Sequence, residues 1–180
     1  MMQYWKHIEL ADVETIIAKT RQYIEKHTTH LDKKTFRGPF NALDNSSFKA
    51  FMPELVAALR EHGLFYEDAN VYVMWNNQDA LPHKDYTGAI ARLNIPILNC
   101  EGTWTTFYKN LQTRRLMLPT GNPYYLTTNK DYEEATRVEM LKPAICRISE
   151  GHSVIMDEER RPRIMLTVST IPDCGLLFDD

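Results

Sequence analysis

Apolar residues near the start of the chain recur every three or four positions, which predicts an amphipathic helix. The residues on this face are Leu10, Val13, Ile16, Ile17, Thr20, Tyr23, Ile24 and His27. A period of this kind sets one stripe of the helix against a core and leaves the rest in water. Residues 11–12 can start the helix, and the polar cluster at 28–30 suits its end.

A second helical period follows a polar, turn-prone stretch. Its members are Phe48, Phe51, Met52, Leu55, Val56 and Leu59. Proline disfavours a helical conformation at the residue before it and is best tolerated in the first turn, so we start the second helix at Pro53. Gly63 is its natural stop, because glycine readily adopts the left-handed conformation that ends many helices.

From Ala69 onward the pattern changes to short segments rich in β-branched and aromatic residues, separated by Gly, Pro, Asn and Asp. These segments predict strands at residues 71–75, 89–98, 103–108, 115–118, 124–128, 137–141, 144–148, 152–156 and 163–171. A run of short strands after two helices predicts an α+β fold with an antiparallel sandwich or barrel.

Composition and charge indicate an ordinary globular protein. The 180 residues are 43% hydrophobic and 25% charged, with a net charge of −3 at pH 7. We expect one domain, mainly helical over residues 1–68 and β-rich over 69–180. This charge gives no overall attraction to nucleic acid or to an anionic membrane. No apolar run reaches the roughly 18–20 residues of a membrane-spanning helix, so we expect a cytosolic protein.

The three cysteines, Cys100, Cys146 and Cys174, are widely spaced and form no Cys-x-x-Cys pair. This spacing argues against a disulfide framework and against a zinc–thiolate site. We expect each cysteine to be a small buried apolar residue.

The candidate chemistry lies in His83 and Asp85, with His152 far downstream. Residues two apart in an extended strand point to the same side, so His83 and Asp85 can present an imidazole and a carboxylate to one ion. His152, from a strand elsewhere in the chain, would complete the set. Two histidines and one carboxylate form the ligand set of non-haem Fe(II) oxygenases. The remaining histidines, at positions 7, 27, 30 and 62, fall in or beside the helical region, and we do not expect them to bind metal.

Residues 83–170 resemble the Fe(II)/2-oxoglutarate-dependent oxygenases, a likeness carried by His83-x-Asp85, His152 and Arg163 in this order. The resemblance implies an antiparallel double-stranded β-helix, or jelly roll, and we expect the N-terminal helices to pack on its outside. It implies Fe(II) on His83, Asp85 and His152, and 2-oxoglutarate with its distal carboxylate on Arg163. The implied reaction is hydroxylation of a C–H bond, with succinate released from the cosubstrate.

The amino-acid sequence of residues 92–99 and 162–168 also resembles that of the aspartyl/asparaginyl β-hydroxylase branch of these oxygenases. In that branch an arginine soon after the first metal histidine assists the cosubstrate, and Arg92 holds this place. Asp85 is a departure, because the branch commonly lacks the carboxylate.

More than one arginine is a candidate for binding the carboxylate of the cosubstrate. Arg160 and Arg161 lie close to Arg163, and an inward role for Arg92 is about as well supported as a surface one. Strand alternation puts Arg163 with Met165 and Thr167 on one face. The opposite face, of Ile164, Leu166 and Val168, is uniformly apolar, so we expect it to be buried between layers.

Two other functions fit a fold of this kind. A non-catalytic jelly roll would bind a metal or another ligand without converting 2-oxoglutarate. A cupin-type isomerase or dioxygenase would use three or four imidazoles, whereas only His83 and His152 fall in the strand region. Residues 110–132, with Arg114 and Arg115, either cover the mouth of the barrel or form a surface hairpin. The sequence does not specify the substrate.

Overall fold

The computed structural model describes residues 2–27, 40–42, 44–75, 81–85, 88–117, 123–157 and 162–179. These residues form the elements β1 (Trp5–His7), α1 (Val13–His27), β2 (Phe40–Ala42), α2 (Asn45–Phe51), α3 (Pro53–Glu61), β3 (Phe65–Met74), β4 (Arg92–Leu98), β5 (Thr103–Lys109), β6 (Thr113–Met117), β7 (Pro123–Thr127), β8 (Glu133–Glu139), β9 (Ala144–Cys146), β10 (Gly151–Met156), β11 (Arg163–Ile171) and a 3-10 helix (Cys174–Asp179). None of the described helices is long and apolar enough to cross a membrane.

The described strands form two sheets and a hairpin. The larger sheet has the order β1-β9-β4-β11-β3-β2, the smaller has the order β10-β5-β8, and β6 pairs with β7. Every pairing between these strands is antiparallel. The predicted α+β class with antiparallel sheets is therefore confirmed, and each of the nine predicted strand segments overlaps a described strand.

Strand β11 separates two hydrophobic clusters, and the face predicted to be buried lies in the larger one. Its Ile164, Leu166 and Val168 lie in a large cluster with apolar residues of α1, α2 and α3. Met165, on the opposite face, lies in a second cluster with Phe107 of the smaller sheet. Apolar residues of both sheets thus meet on one side of β11, whereas the helices cover its other side. The burial of all three cysteines, as free thiols, was also predicted.

Local sequence explains the limits of helix α3. It begins at Pro53 and ends at Glu61, and Gly63 follows with a φ of 70°. The Gly63 amide donates to the Arg60 carbonyl at 3.0 Å, and the Leu64 amide donates to the Leu59 carbonyl at 3.0 Å. This pair of bonds is a Schellman motif, which satisfies carbonyls left free at the helix end. The predicted start and stop are both confirmed.

Several elements were not predicted, namely β1, β2, α2 and the 3-10 helix. Strands β1 and β2 have three residues each, so they depend on their pairing with β9 and β3 rather than on a local pattern. The apolar period around Phe48 belongs to α2, which Met52 separates from α3. The start of β3 lies at Phe65, ahead of its predicted position. The predicted end of α1 at 28–30 falls outside the described residues.

The stem of the β6–β7 hairpin is fixed to two other segments of the chain. On one side Leu111 packs so closely on Gly151 that a Cβ at position 151 would lie 2.6 Å from the Leu111 Cβ. On the other side the Thr127 hydroxyl donates to the Pro82 carbonyl. The stem is braced internally by Asn129, which accepts from the Gln112 amide at 2.9 Å and donates to the Asn110 carbonyl at 2.7 Å.

We expect Gly151→Ala to destabilise the protein, because the added methyl group has no room beneath Leu111. Overpacking of this kind costs about 1–3 kcal/mol of unfolding free energy, which urea denaturation would measure. In a double-mutant cycle, Gly151→Ala should cost much less in a Leu111→Gly background, which removes the opposing side chain. Two effects that simply add would contradict this contact.

Candidate metal centre

A short backbone ladder brings His83 beside His152. The His83 amide donates to the His152 carbonyl at 2.9 Å, and the His152 amide donates to the His83 carbonyl at 2.8 Å. Residues directly opposite in an antiparallel pair project their side chains to the same side. The two imidazole rings accordingly lie with their centroids 4.4 Å apart.

Asp85 joins this pair through the same ladder. Its amide donates to the Ile148 carbonyl at 3.0 Å, which holds the segment after His83 against the turn before β10. One carboxylate oxygen of Asp85 lies 3.4 Å from His83 Nε2. One ligand atom from each of His83, Asp85 and His152 lies within 4.8 Å of the other two, so the three side chains could hold one ion.

Both imidazoles are oriented by a backbone carbonyl two residues earlier in the chain. His83 Nδ1 donates to the Leu81 carbonyl at 2.6 Å, and His152 Nδ1 donates to the Glu150 carbonyl at 2.9 Å. A carbonyl only accepts, so the Nδ1 atoms carry the protons in these bonds, and Nε2 is the metal-binding atom of each neutral imidazole. On His83 this atom also faces the Asp85 carboxylate, 3.4 Å away. Orientation of this kind is a common outer-shell feature of metal-binding histidines.

The protonation states of Asp85 and His152 suit a divalent cation. Burial opposes ionisation of Asp85, but the hydrogen bond from His83 and the nearby His152 and Arg92 lower its pKa to about 2. Burial, with the neighbouring His83, lowers the pKa of His152 to about 4. Near neutral pH these two side chains are therefore a carboxylate and a neutral imidazole, the forms in which they bind metals.

His83 differs from His152 because it shares a hydrogen bond with Asp85. Burial alone would lower the pKa of His83, but the hydrogen bond and the charge of Asp85 outweigh burial and raise it above 6.5. An ion at this site would have to displace a proton from His83 at mildly acidic pH.

The two arginines predicted to bind the cosubstrate are both buried in the structure. Arg163 is 2% exposed and donates from Nε to the Thr103 hydroxyl at 3.2 Å, across from the larger sheet to the smaller. Burial lowers the pKa of its guanidinium, and Cys100 and Tyr72 are among the groups that oppose this shift. Residues 160 and 161, which carry the competing arginines, fall outside the described residues.

Arg92 interacts electrostatically with one of the candidate ligands. It is 7% exposed at the start of β4, and its charge is among those that lower the pKa of Asp85. Its Nε has no hydrogen-bond partner among the described residues. The burial of this residue favours the inward role for Arg92 over the surface one.

Some contacts of the site were not foreseen from the sequence. These are the Thr103 hydroxyl on Arg163 and the seating of the hairpin stem on Gly151 and Pro82. Each contact depends on which distant strands meet, and no local pattern carries that information. The adjacency of Pro82 to His83 and of Gly151 to His152 is nonetheless visible in the sequence.

Comparison with known proteins finds similarity at the level of structure only. No family model and no curated protein matches the sequence. The crystal structure of the non-heme alpha ketoglutarate dependent epimerase SnoN from nogalamycin biosynthesis matches with a TM-score of 0.51 and 13% identity, covering 91% of this chain and 76% of that chain. At this identity the match concerns the fold.

Two further solved structures match with TM-scores below 0.5, and no conclusion rests on them. One is SnoN in complex with Fe3+, alpha ketoglutarate and nogalamycin RO, with a TM-score of 0.47, 14% identity and coverage of 91% of this chain and 77% of that chain. The other is a Pseudomonas putida prolyl-4-hydroxylase, with a TM-score of 0.39, 10% identity and coverage of 93% of this chain and 91% of that chain.

We expect the affinity for Mn²⁺, used as an air-stable divalent probe, to fall as the pH is lowered from 8 to 5.5. Because the pKa of His83 is raised above 6.5, protons compete for its Nε2 within this window. Asp85 and His152 compete little there, since their pKa values are about 2 and about 4. Below the pKa of His83 the affinity should drop by about tenfold per pH unit, as expected for one displaced proton.

Calorimetric titration with Mn²⁺ at several pH values would measure this dependence. His62→Ala, at a histidine that contacts the Glu9 carbonyl instead, provides the matched control and should keep the parent curve. An affinity that does not change with pH over this window would contradict the role of His83.

Proposed function

We propose that this protein is an Fe(II)- and 2-oxoglutarate-dependent dioxygenase that hydroxylates a C–H bond of its substrate. The observation that carries the proposal is the convergence of His83, Asp85 and His152, in which each imidazole directs its Nδ1 to a backbone carbonyl. Two imidazoles and one carboxylate leave other positions on an iron ion open, as this reaction class requires. Iron bound with 2-oxoglutarate and dioxygen supplies the oxidising power for the C–H bond.

The proposal includes a jelly-roll core in which the two sheets form a double-stranded β-helix with the helices outside. The shared cluster of Met165 and Phe107 supports this, since it joins the faces of the two sheets. The fold likeness to SnoN, an alpha ketoglutarate dependent epimerase, supports it too. A single domain over residues 1–180, a cytosolic location and the aspartyl/asparaginyl branch stay predictions.

In this proposal the residues of the chain bind, orient and exclude water. His83, Asp85 and His152 hold the ion, and the Leu81 and Glu150 carbonyls fix the two imidazole rings. Arg163 pairs with the distal carboxylate of 2-oxoglutarate, for which a planar guanidinium is better suited than an ammonium group. Its burial strengthens this pairing, because little water competes at 2% exposure.

Two alternatives are separated by what the site contains. A cupin-type centre is disfavoured, because the candidate metal-binding cluster found among the described residues has two imidazoles rather than three or four. A non-catalytic jelly roll would have the same fold. It would not need a buried cation between the sheets, whereas Arg163 is buried there.

We expect slow release of succinate when the purified protein is loaded with Fe(II) without oxygen and then given oxygen and 2-oxoglutarate. The reaction should not require the true substrate, because many enzymes of this class decarboxylate their cosubstrate slowly on their own. Release should be lost in His152→Ala and kept in His7→Ala, a histidine that contacts the Pro143 carbonyl outside the site. A 2-oxoglutarate mimic that resists decarboxylation should block it. If calorimetry finds that neither Fe(II) nor 2-oxoglutarate binds, the non-catalytic alternative is favoured.

We expect Arg163→Ala to raise the KM for 2-oxoglutarate by about tenfold or more, since a charge-assisted hydrogen bond is worth ~1.5–3 kcal/mol. Arg163→Lys should restore only part of the loss, because it lacks the two-pronged contact. Steady-state succinate assays would measure both variants. An unchanged KM in Arg163→Ala, together with a raised KM in Arg92→Ala, would move the role to Arg92.

A further inference from the structure

We propose that Thr103, at the start of strand β5, is a positioning residue for Arg163. Its hydroxyl occupies the guanidinium Nε, so that a carboxylate binds Arg163 end-on, through the two Nη groups. This inference rests on the proposed function, because it specifies how the same site holds 2-oxoglutarate. It is carried by a chain of hydrogen bonds that joins Arg163 to the turn between β4 and β5, and by the apolar surroundings of that chain.

The Thr103 hydroxyl has a defined direction in this chain. It donates its single proton to the Cys100 carbonyl at 2.6 Å, since a carbonyl only accepts. Toward Arg163, whose guanidinium has only donors, the same oxygen therefore accepts, and Nε lies 3.2 Å from it. Thr103 and Arg163 are 1% and 2% exposed, so water has little access to either bond. One hydroxyl thus connects Nε to the backbone of the turn.

The same turn is anchored to the residues on both sides of Arg163. The Asn99 side-chain amide donates to the Pro162 carbonyl at 2.8 Å. The Cys100 thiol lies 3.4 Å from the Ile164 carbonyl. The turn therefore fixes the backbone of residues 162–164 as well as the Nε of Arg163, and the guanidinium keeps one orientation relative to β5.

The strand registers place methionines beside both residues. Met74 is the partner of Arg163 in β3, and Met156 is the partner of Thr103 in β10. Both methionines are buried in one apolar cluster with Val154. These neighbours offer no strong acceptor, so valine at position 103 would leave Nε without its partner. A buried donor in this state is costly, and the guanidinium would reorient to avoid it.

The occupied Nε decides which edge of the guanidinium can bind a carboxylate. A guanidinium is planar and has five N–H groups, one on Nε and two on each Nη. A carboxylate can bind side-on, through Nε and one Nη, or end-on, through both Nη groups. With Nε bonded to Thr103, the end-on edge is left, and no carboxylate of the described residues forms a salt bridge with Arg163.

The first test compares 2-oxoglutarate with 2-oxopentanoate, which has a methyl group in place of the distal carboxylate. Calorimetry on the full chain with Mn²⁺, without oxygen, gives the ratio of the two affinities, which reports the distal contact alone. We expect Thr103→Val, which keeps the shape of the side chain, to lower this ratio by about fivefold or more. Thr103→Ser, which keeps the hydroxyl, should stay within about twofold of the parent. An unchanged ratio in Thr103→Val would overturn the proposal.

Thr20→Val is the matched control. The Thr20 hydroxyl is also fully buried and donates to a backbone carbonyl, that of Ile16, at 2.7 Å. Because Thr20 lies in α1, its loss should lower the Tm without changing the affinity ratio. In an Arg163→Ala background, Thr103→Val should lower the ratio no further, since Thr103 acts through Arg163. A further loss there would show that Thr103 contacts the cosubstrate itself, and the positioning role would be wrong.

Nitrogen NMR of the metal-free protein tests the orientation without any ligand. The Nε–H signal of Arg163, identified by its loss in Arg163→Lys, should exchange slowly with water in the parent. It should exchange at least tenfold faster in Thr103→Val. Addition of 2-oxoglutarate with Zn²⁺, a diamagnetic probe, should shift the Nη signals and leave the Nε signal in place. A shift of the Nε signal with one Nη instead would indicate side-on pairing and overturn the proposal.

These measurements separate the inference from the proposed function. A Nε–H that Thr103 protects, in a protein that binds neither Mn²⁺ nor 2-oxoglutarate, would overturn the proposed function and keep Thr103 as the residue that orients Arg163. Binding of Mn²⁺ and 2-oxoglutarate by a parent protein whose Nε–H is not protected would overturn the positioning role alone.

Discussion

The reciprocal pair of backbone hydrogen bonds between His83 and His152 is the constraint on which the candidate centre depends. These bonds connect the segment 81–85 to β10 and fix the relative height of the two imidazoles. A shift of one residue in this register would send one imidazole to the opposite face. Asp85 is positioned by the same ladder, since two residues after His83 its backbone amide donates a hydrogen bond to the Ile148 carbonyl. The three side chains are therefore brought together by main-chain pairing.

Burial and the contacts between them give the three side chains different protonation behaviour. His152, 9% exposed on β10, is kept neutral by its surroundings, whereas His83 shares a proton-dependent contact with Asp85. The Asp85 carboxylate thus balances the positive charge of His83 when His83 is protonated, and the His152 imidazole stays uncharged. The pairing with His83 means that Asp85 is not an isolated, partly buried charge, which would be costly.

Much of the fold could be predicted because its signals are local. The alternation of β11 identified which of its faces is buried between layers, and Pro53 and Gly63 marked the limits of α3 correctly. The three-residue strands β1 and β2 were missed, because only their distant partners make them strands. For the site, the His-x-Asp spacing indicated two ligands that share a face. That His152 lies opposite His83, and that Thr103 lies on Arg163, follows from tertiary pairing that no short pattern encodes.

The central place of β11 in the larger sheet has a consequence for the folding of the protein. This strand, near the C-terminal end of the chain, lies between β3 and β4 and pairs with both. The sheet is therefore interrupted until β11, which is synthesised long after β3 and β4, has been inserted between them. Pairings between residues so distant in sequence raise the contact order, which slows folding. During synthesis, the facing edges of β3 and β4 would stay open and prone to pairing with other chains.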